Sequence, residues 1–157
     1  MKYEIERKFL VAGEYKSHAY TSYQISQGYL SSHPERVVRI RINDDTAYLT
    51  IKSTVTDSKF SRYEWEREIA MEDAEMMLQF CEKEIIEKRR FLINIGEHLF
   101  EVDEFYGSNQ GLVIAEVELE SEDEEFEKPK WLGKEVTNDH RYYNSMLTKH
   151  PYSKWKK

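Results

Sequence analysis

Glu4, Glu6 and Lys8 fall at every second position of the opening stretch YEIERKFLV (residues 3–11), with Ile5, Phe9 and Val11 between them and Arg7 as the one exception. Such alternation sends successive side chains to opposite faces of a strand. One face therefore gathers two carboxylates and an ammonium. If that face meets water, the stretch is an ordinary amphipathic strand. If it points inward, the carboxylates could hold a hard divalent cation, which prefers oxygen ligands, and the lysine could hold an anion.

The pattern recurs along the chain. Arg39 and Arg41 oppose Val38, Ile40 and Ile42 in RVVRIRI (36–42), and Tyr48, Thr50 and Lys52 oppose Leu49 and Ile51 in AYLTIKS (47–53). In SRYEWEREI (61–69), Arg62, Glu64, Glu66 and Glu68 oppose Tyr63, Trp65 and Ile69. Around IIEKRRFLINI (85–95), Glu84, Ile86, Lys88, Arg90 and Leu92 oppose Ile85, Phe91 and Ile93, with Glu87 and Arg89 on the latter face. Glu101 and Asp103 oppose Phe100 and Val102, and Glu116, Glu118 and Glu120 oppose Val113, Val117 and Leu119.

A single ionic stripe is the mark of an antiparallel sheet with one face in solvent. Taken together, the stripes point elsewhere. Their signs are sorted by strand, whereas a solvated face usually mixes them. Same-face neighbours on a strand lie ~7 Å apart and repel unless a counter-charge sits between them. Sorted charges suit two ligands of opposite sign. The carboxylates match a divalent cation, and the arginine forks match phosphate oxygens. A polyphosphate with Mg²⁺ satisfies both sets. An ionic interior is costly when dry and tolerable when wet and occupied.

These residues need strands to position them. Eight strand-like runs are expected, at 3–11, 23–30, 36–42, 47–53, 61–69, 85–95, 99–106 and 112–121, mostly joined by short turns such as NDDT (43–46). The segment 54–60 reads as a polar loop, and a short helix is expected within 12–22. Residues 71–83 change to helical spacing, with Ala74, Met77, Leu78 and Cys81 on one face and acidic residues early, where the helix dipole favours them. A second helix is expected over 137–150, capped by Thr137 or Asn138. The fold class is mainly β (α+β): an eight-stranded antiparallel closed tunnel barrel with a charged lumen and flanking helices. Closure removes the sheet edges.

At 157 residues one domain, 1–157, is expected. Charged residues make up 34% of the chain, yet 3 Trp, 11 Tyr and 7 Phe exclude a disordered composition. The net charge of −7 argues against general nucleic-acid binding. Cys81 is the one cysteine, so no internal disulfide can form, and it reads as a packed residue rather than a nucleophile. No apolar run approaches the ~18 residues needed to span a bilayer, and Met1 leads straight into strand pattern without a signal-peptide core. A soluble cytoplasmic protein is the expectation. His18, His33, His98 and His150 read as surface residues, with no metal-binding spacing among them.

The ordered set resembles the CYTH superfamily, the triphosphate tunnel metalloenzymes. E-x-E-x-K (Glu4, Glu6, Lys8) is its opening signature. R-x-R (Arg39, Arg41), the lysine of TIK (Lys52), SRYEWE (Arg62, Glu64, Glu66), K-x-R (Lys88, Arg90), EVD (Asp103) and E-x-E (Glu116, Glu118) follow in order. QGYL (27–30) and WLGKEVTNDHRY (131–142) look like the short bacterial inorganic triphosphatases. The resemblance implies hydrolysis of inorganic triphosphate or a similar small triphosphate with Mg²⁺ or Mn²⁺. It implies phosphate binding by Lys8, Arg39, Arg41, Lys52, Arg62, Lys88 and Arg90, and metal binding by Glu4, Glu6, Asp103, Glu116 and Glu118. Glu64, Glu66 and Glu120 would help position water or metal. Tyr29 would pair with Lys8 as a general base, its phenol lowered by the neighbouring ammonium, which favours an alkaline optimum. His140 and Arg141 both stand where the family often places a basic residue at the tunnel mouth. The partner implied is a small triphosphate, with no nucleic acid and no membrane, and the oligomeric state stays open, a homodimer included. Class IV adenylate cyclase and thiamine triphosphatase are alternatives on the same fold. A non-catalytic polyphosphate- or nucleotide-binding module is the alternative of another class.

Overall fold

Eight of the nine strands among the described residues of this computed structural model (2–54, 61–82 and 84–155) close into one antiparallel barrel. They are β1 (Lys2–Val11), β2 (Thr21–Ser31), β3 (Val37–Asn43), β4 (Thr46–Thr54), β5 (Ser61–Ile69), β6 (Ile86–Ile95), β7 (His98–Phe105) and β8 (Val113–Leu119). The order around the barrel is β5-β4-β3-β2-β6-β7-β8-β1, and β1 returns to β5. β1 makes the closure because it serves two neighbours. Its first residues pair with Ser61–Glu64, and residues 5–10 pair with residues 114–119. The eight strands lie where the alternation predicts them. The expected polar loop lies, beyond Thr54, outside the described residues.

Hairpin chemistry sets the register. Asp44 takes a φ of 51° in the two-residue β3–β4 turn, and Gly96 takes 60° between β6 and β7. Both are left-handed conformations that short hairpin turns demand.

The apolar stripes face away from the barrel axis and are covered from outside. Ile5, Phe9, Ile93, Phe100, Val102, Ala115, Val117 and Leu119 form one buried cluster with Tyr15 and Trp131 from the connecting segments. Phe126 adds edge-on contacts to Phe9 and Phe100. On the opposite side the helix α1 (Met71–Leu78) covers β3 and β4, with Ala74 packed on Ile40 and Ala47. The fold is therefore an inverted barrel, with two apolar clusters outside the strands and the ionic stripes within.

Two elements differ from expectation. A ninth strand, β9 (Leu132–Glu135), pairs with β1 beyond Phe9. It can do so because Gly133 lies against the Leu10 carbonyl, where an added Cβ would sit 2.9 Å from the oxygen. The helix expected over 137–150 is broken. Asp139 caps a single 3₁₀ turn at His140–Tyr142, Tyr143 is extended, and α2 (Asn144–Leu147) is one turn long. Packing explains the break: Tyr142 and Leu147 are both buried among Ile86, Phe105, Leu112 and Ile114, and a continuous helix is not what carries them there.

α1 also ends sooner than predicted, and Cys81 follows it. The thiol donates to the Met77 carbonyl at 3.4 Å, and burial pushes its pKa up. It packs against Gly28, where any Cβ would lie 2.9 Å from both Cys81 Cβ and Sγ. A packed thiol rather than a thiolate nucleophile follows from this environment. Among the described residues, no helix is long and apolar enough to cross a membrane.

Candidate active site

All eight barrel strands contribute side chains to one cavity of about 470 Å³, so the cavity is the barrel interior. It reaches the surface at Pro34, Thr54, Glu66, Glu118 and His140, which are exposed lining residues. Its wall holds Glu4, Glu6 and Lys8 from β1, Arg39 and Arg41 from β3, and Lys52 from β4. Arg62, Glu64 and Glu66 come from β5, Lys88 and Arg90 from β6, and Glu116 and Glu118 from β8. The inward face of the alternation is thus the ionic one.

Cations and carboxylates meet across strands. Lys8 Nζ pairs with Glu116 Oε1 at 3.1 Å, and Lys52 Nζ donates to Glu4 Oε1 at 3.0 Å. Arg39 Nη2 lies 3.8 Å from Glu66 Oε1, with Thr50 between: its hydroxyl accepts from Arg39 and donates to Glu66 at 2.7 Å. Burial opposes the charge on Lys8, but Glu116 and Glu6 outweigh it and hold its pKa above the usual lysine value. Arg41 is pushed down to about 10 by burial and by its neighbours Arg39 and Arg90. A polyanion between these guanidinium groups would relieve that repulsion.

The carboxylates are crowded on their own side. Glu6 is raised to about 8 by burial, Glu116 and Glu4. Glu4 is raised by burial and by a hydrogen bond with Glu64, despite Lys52. Glu6 is also hydrogen-bonded to Glu116. Carboxyl groups this close need a shared proton or a cation between them. Among the described residues no three His, Cys, Asp or Glu side chains already form a finished ligand set. The two carboxyl pairs nonetheless fit a hard divalent cation in donor type and in excess negative charge.

Asp103 and Glu120 occupy different positions from those implied. Both Asp103 oxygens accept from Arg90, at 2.8 and 2.9 Å, and Lys88 Nζ sits 2.8 Å from Oδ2. Burial opposes its ionisation, but Arg90 and Lys88 overcome this and hold it down to about 2. Asp103 is 2% exposed and tethers two cations, and Glu101 is the β7 carboxylate that lines the cavity. Glu120 stands outside the main cavity, in an acidic depression with Glu97, Glu118 and Glu124.

Tyr29 lines the cavity, but its hydroxyl accepts from Gln27 Nε2 at 3.1 Å. Lys8 instead lies over the Tyr143 ring, 5.3 Å from its centroid. The expected Lys8–Tyr29 contact is not among those of the described residues. At the mouth, His140 lines the cavity, whereas Arg141 turns outward to Asp139 and the Trp155 ring. Arg7, the exception of the first strand, also faces outward, with two hydrogen bonds to Glu135. Gln27, Asn144 and Tyr143 are wall residues that charge patterning did not single out, and Glu101, which it placed in the β7 stripe, was not assigned a role. Gln27 shares the inward parity of its strand, which is the one signal that could have found it.

The CYTH domain family model matches residues 2–152. An inorganic triphosphatase of Acetivibrio thermocellus is 47% identical over 155 residues, which cover 98% of this chain and 97% of that protein. An inorganic triphosphatase of Nitrosomonas europaea is 36% identical over 148 residues, covering 92% and 95%. The crystal structure of an inorganic triphosphatase superposes with a TM-score of 0.67 at 36% identity, covering 92% of this chain and 97% of that one. An antiparallel barrel with sign-sorted charges inside, matched by this family over nearly its whole length, leads to one conclusion: the chain belongs to the CYTH domain family.

Proposed function

We propose that this protein is a metal-dependent triphosphatase whose substrate is inorganic triphosphate or a similarly small triphosphate. The observation that carries this reading is the sorting of charge inside one closed cavity, with crowded carboxylates on one side and clustered guanidinium and ammonium groups on another. The two relatives described above are inorganic triphosphatases, which supports it.

Arg39, Arg41, Lys52, Arg62, Lys88 and Arg90 bind and orient the phosphates, with the planar arginine forks engaging paired oxygens. Lys8, held by Glu116, stabilises charge that develops on the phosphate under attack. Glu4, Glu6, Glu116 and Glu118 would hold Mg²⁺ or Mn²⁺. Such an ion supplies Lewis-acid polarisation of phosphoryl oxygen and a nucleophilic water at neutral pH. Glu64, hydrogen-bonded to Glu4, and Glu66 orient water at the same wall. Asp103 keeps Lys88 and Arg90 in place rather than serving as a ligand. Tyr29, through Gln27, belongs to the phosphate-binding wall.

Purified protein with Mg²⁺ or Mn²⁺ is assayed against inorganic triphosphate, ATP and thiamine triphosphate, scoring phosphate and cyclic AMP. Phosphate release, fastest from inorganic triphosphate, is expected. Cyclic AMP as the main product, or triphosphate binding without turnover, would overturn the proposal.

A further inference from the structure

Lys8 is gripped at its backbone and at its ammonium, and one residue takes part in both grips. The Lys8 N–H donates to Thr137 Oγ1 at 3.1 Å, and its carbonyl accepts from the Val136 N–H at 2.8 Å. β9 ends at Glu135, so beyond it a side-chain hydroxyl supplies the acceptor that a backbone carbonyl supplies in a regular ladder. Thr137 thus serves β1 rather than capping a helix, and Asp139 takes the capping position. At the far end of the lysine, Nζ lies over the Tyr143 ring, and the Tyr143 hydroxyl donates to the Thr137 carbonyl at 3.2 Å. The Thr137 hydroxyl is itself oriented from outside the barrel. It donates to Glu135 Oε2, the oxygen that also accepts from Arg7 Nε at 2.8 Å, while Arg7 Nη2 donates to Oε1 at 2.6 Å. A hydroxyl has one proton, and with that proton on a carboxylate its lone pairs are left for the Lys8 N–H. The bond from Arg7, aided by the one from Thr137, outweighs burial and holds the Glu135 pKa below the usual carboxylate value.

We propose that Thr137 is a positioning residue that sets where Lys8 presents its ammonium to the phosphates, and that Arg7 and Glu135 form an outer clasp that orients the Thr137 hydroxyl. This rests on the phosphate-binding reading of the cavity given above. The lysine chain is held between two points that Thr137 defines, its own backbone and the Tyr143 ring, and Glu116 at 3.1 Å supplies a third. Loss of the hydroxyl leaves a buried N–H without its acceptor and lets β1 shift at Lys8. The clasp also gives Arg7, the charged exception on the apolar side of the first strand, a part in the site it faces away from.

The test is a double-mutant cycle with Lys8→Ala, read by calorimetry of inorganic triphosphate binding in EDTA, where no turnover intervenes. Thr137→Val keeps the shape and loses the hydroxyl, and it should weaken binding about fivefold, the worth of an ordinary hydrogen bond. Arg7→Met should weaken it about twofold, as suits a partly exposed ion pair. Thr137→Ser restores the hydroxyl and should bind as wild type does. In Lys8→Ala, neither Thr137→Val nor Arg7→Met should weaken binding further, because each acts through the missing ammonium. Thr137 lines the cavity, so a loss that persists in Lys8→Ala would mean that the hydroxyl touches phosphate directly, which overturns the proposal. Wild-type affinity in folded Thr137→Val overturns it, as does weakened binding in Thr137→Ser, and wild-type affinity in Arg7→Met overturns the clasp. Thr137→Ala carries the test if the valine variant does not fold. Triphosphate binding without hydrolysis in wild type would count against the proposed activity alone, whereas no binding in wild type would overturn both.

Discussion

The barrel interior has two ends built on the same strands, and they do opposite things. At one, Glu4, Glu6, Arg39, Arg41 and Arg90 face one another across a cavity. At the other, Leu10, Ile86, Phe105 and Ile114 pack with Leu147 under the chain after β9, beside the opening at Pro34, Thr54 and His140. The apolar end follows ordinary folding physics, since burial of that surface is favourable by itself. The ionic end does not. Removing charges from water is expensive, and burial together with like-charged neighbours shifts Glu6 upward and Arg41 downward. A fold keeps such an arrangement for what it binds. The comparison separates residues that hold the barrel together from residues that the barrel holds ready.

The largest expected effect is on turnover at the ionic end. Glu6→Gln should reduce triphosphate hydrolysis by more than about a hundredfold, beyond the range typical of supporting residues. Its metal-free melting temperature should stay level or rise, because the unfolded chain no longer gains by ionising a carboxyl that the fold keeps protonated. Full activity in this variant would remove Glu6 from the metal site.

Asp103→Asn tests the boundary between the two ends. It strands Lys88 and Arg90 without their counter-charge, at a cost of about 3–5 kcal/mol measured by denaturant unfolding. Added triphosphate should recover part of that loss, since phosphate replaces the missing anion. Leu147→Ala, at 0% exposure, should cost about 2–5 kcal/mol with little change in kcat for the folded fraction. A large kcat defect there, with stability intact, would blur the division between the ends.

The acid cluster also gives a pH signature. The Glu6 carboxyl rises from its ordinary 4.5 to about 8 on folding, so in this window the folded protein holds a proton that the unfolded chain has lost. Stability of the metal-free protein is then greatest below pH 4.5 for this group and falls as the pH climbs through 8. Melting curves in EDTA from pH 5 to 9 should show the decline, and Glu6→Gln should flatten it. The smallest effect is at the rim. Arg141→Ala, which removes an exposed pair with Asp139, should leave melting and kinetics unchanged, whereas His140→Ala should alter KM. Equal effects of the two would show that facing the cavity does not matter at that position.

Strand period makes much of this legible in the sequence. Alternation located all eight barrel strands, and the sorting of signs indicated which face turned inward. What it could not supply was depth along the axis. Glu101 and Asp103 share one parity, yet Glu101 lines the cavity while Asp103 is taken up by Arg90 and Lys88, because the β7 register with β6 sets Asp103 opposite Arg90. Lys88 and Ile86 likewise share a face on β6 and belong to different ends. β9 was invisible because four residues around Gly133 become a strand only where β1 offers them an edge. The tail at 137–150 looked helical by local signals, but Tyr142, Asn144 and Leu147 are placed by the barrel they cap. Gln27 and Asn144 carry no charge, so a search for ionic stripes passes over them.

The most direct test is to locate metal and substrate together. A crystal grown with Mn²⁺ and a non-hydrolysable triphosphate analogue, with Mn²⁺ located by anomalous scattering, should place the ion against Glu4, Glu6 and Glu116. The phosphates should lie between Arg39, Arg41, Lys88 and Arg90. An ion bound only in the outer depression beside Glu97, Glu120 and Glu124, with no phosphate in the barrel, would contradict the account.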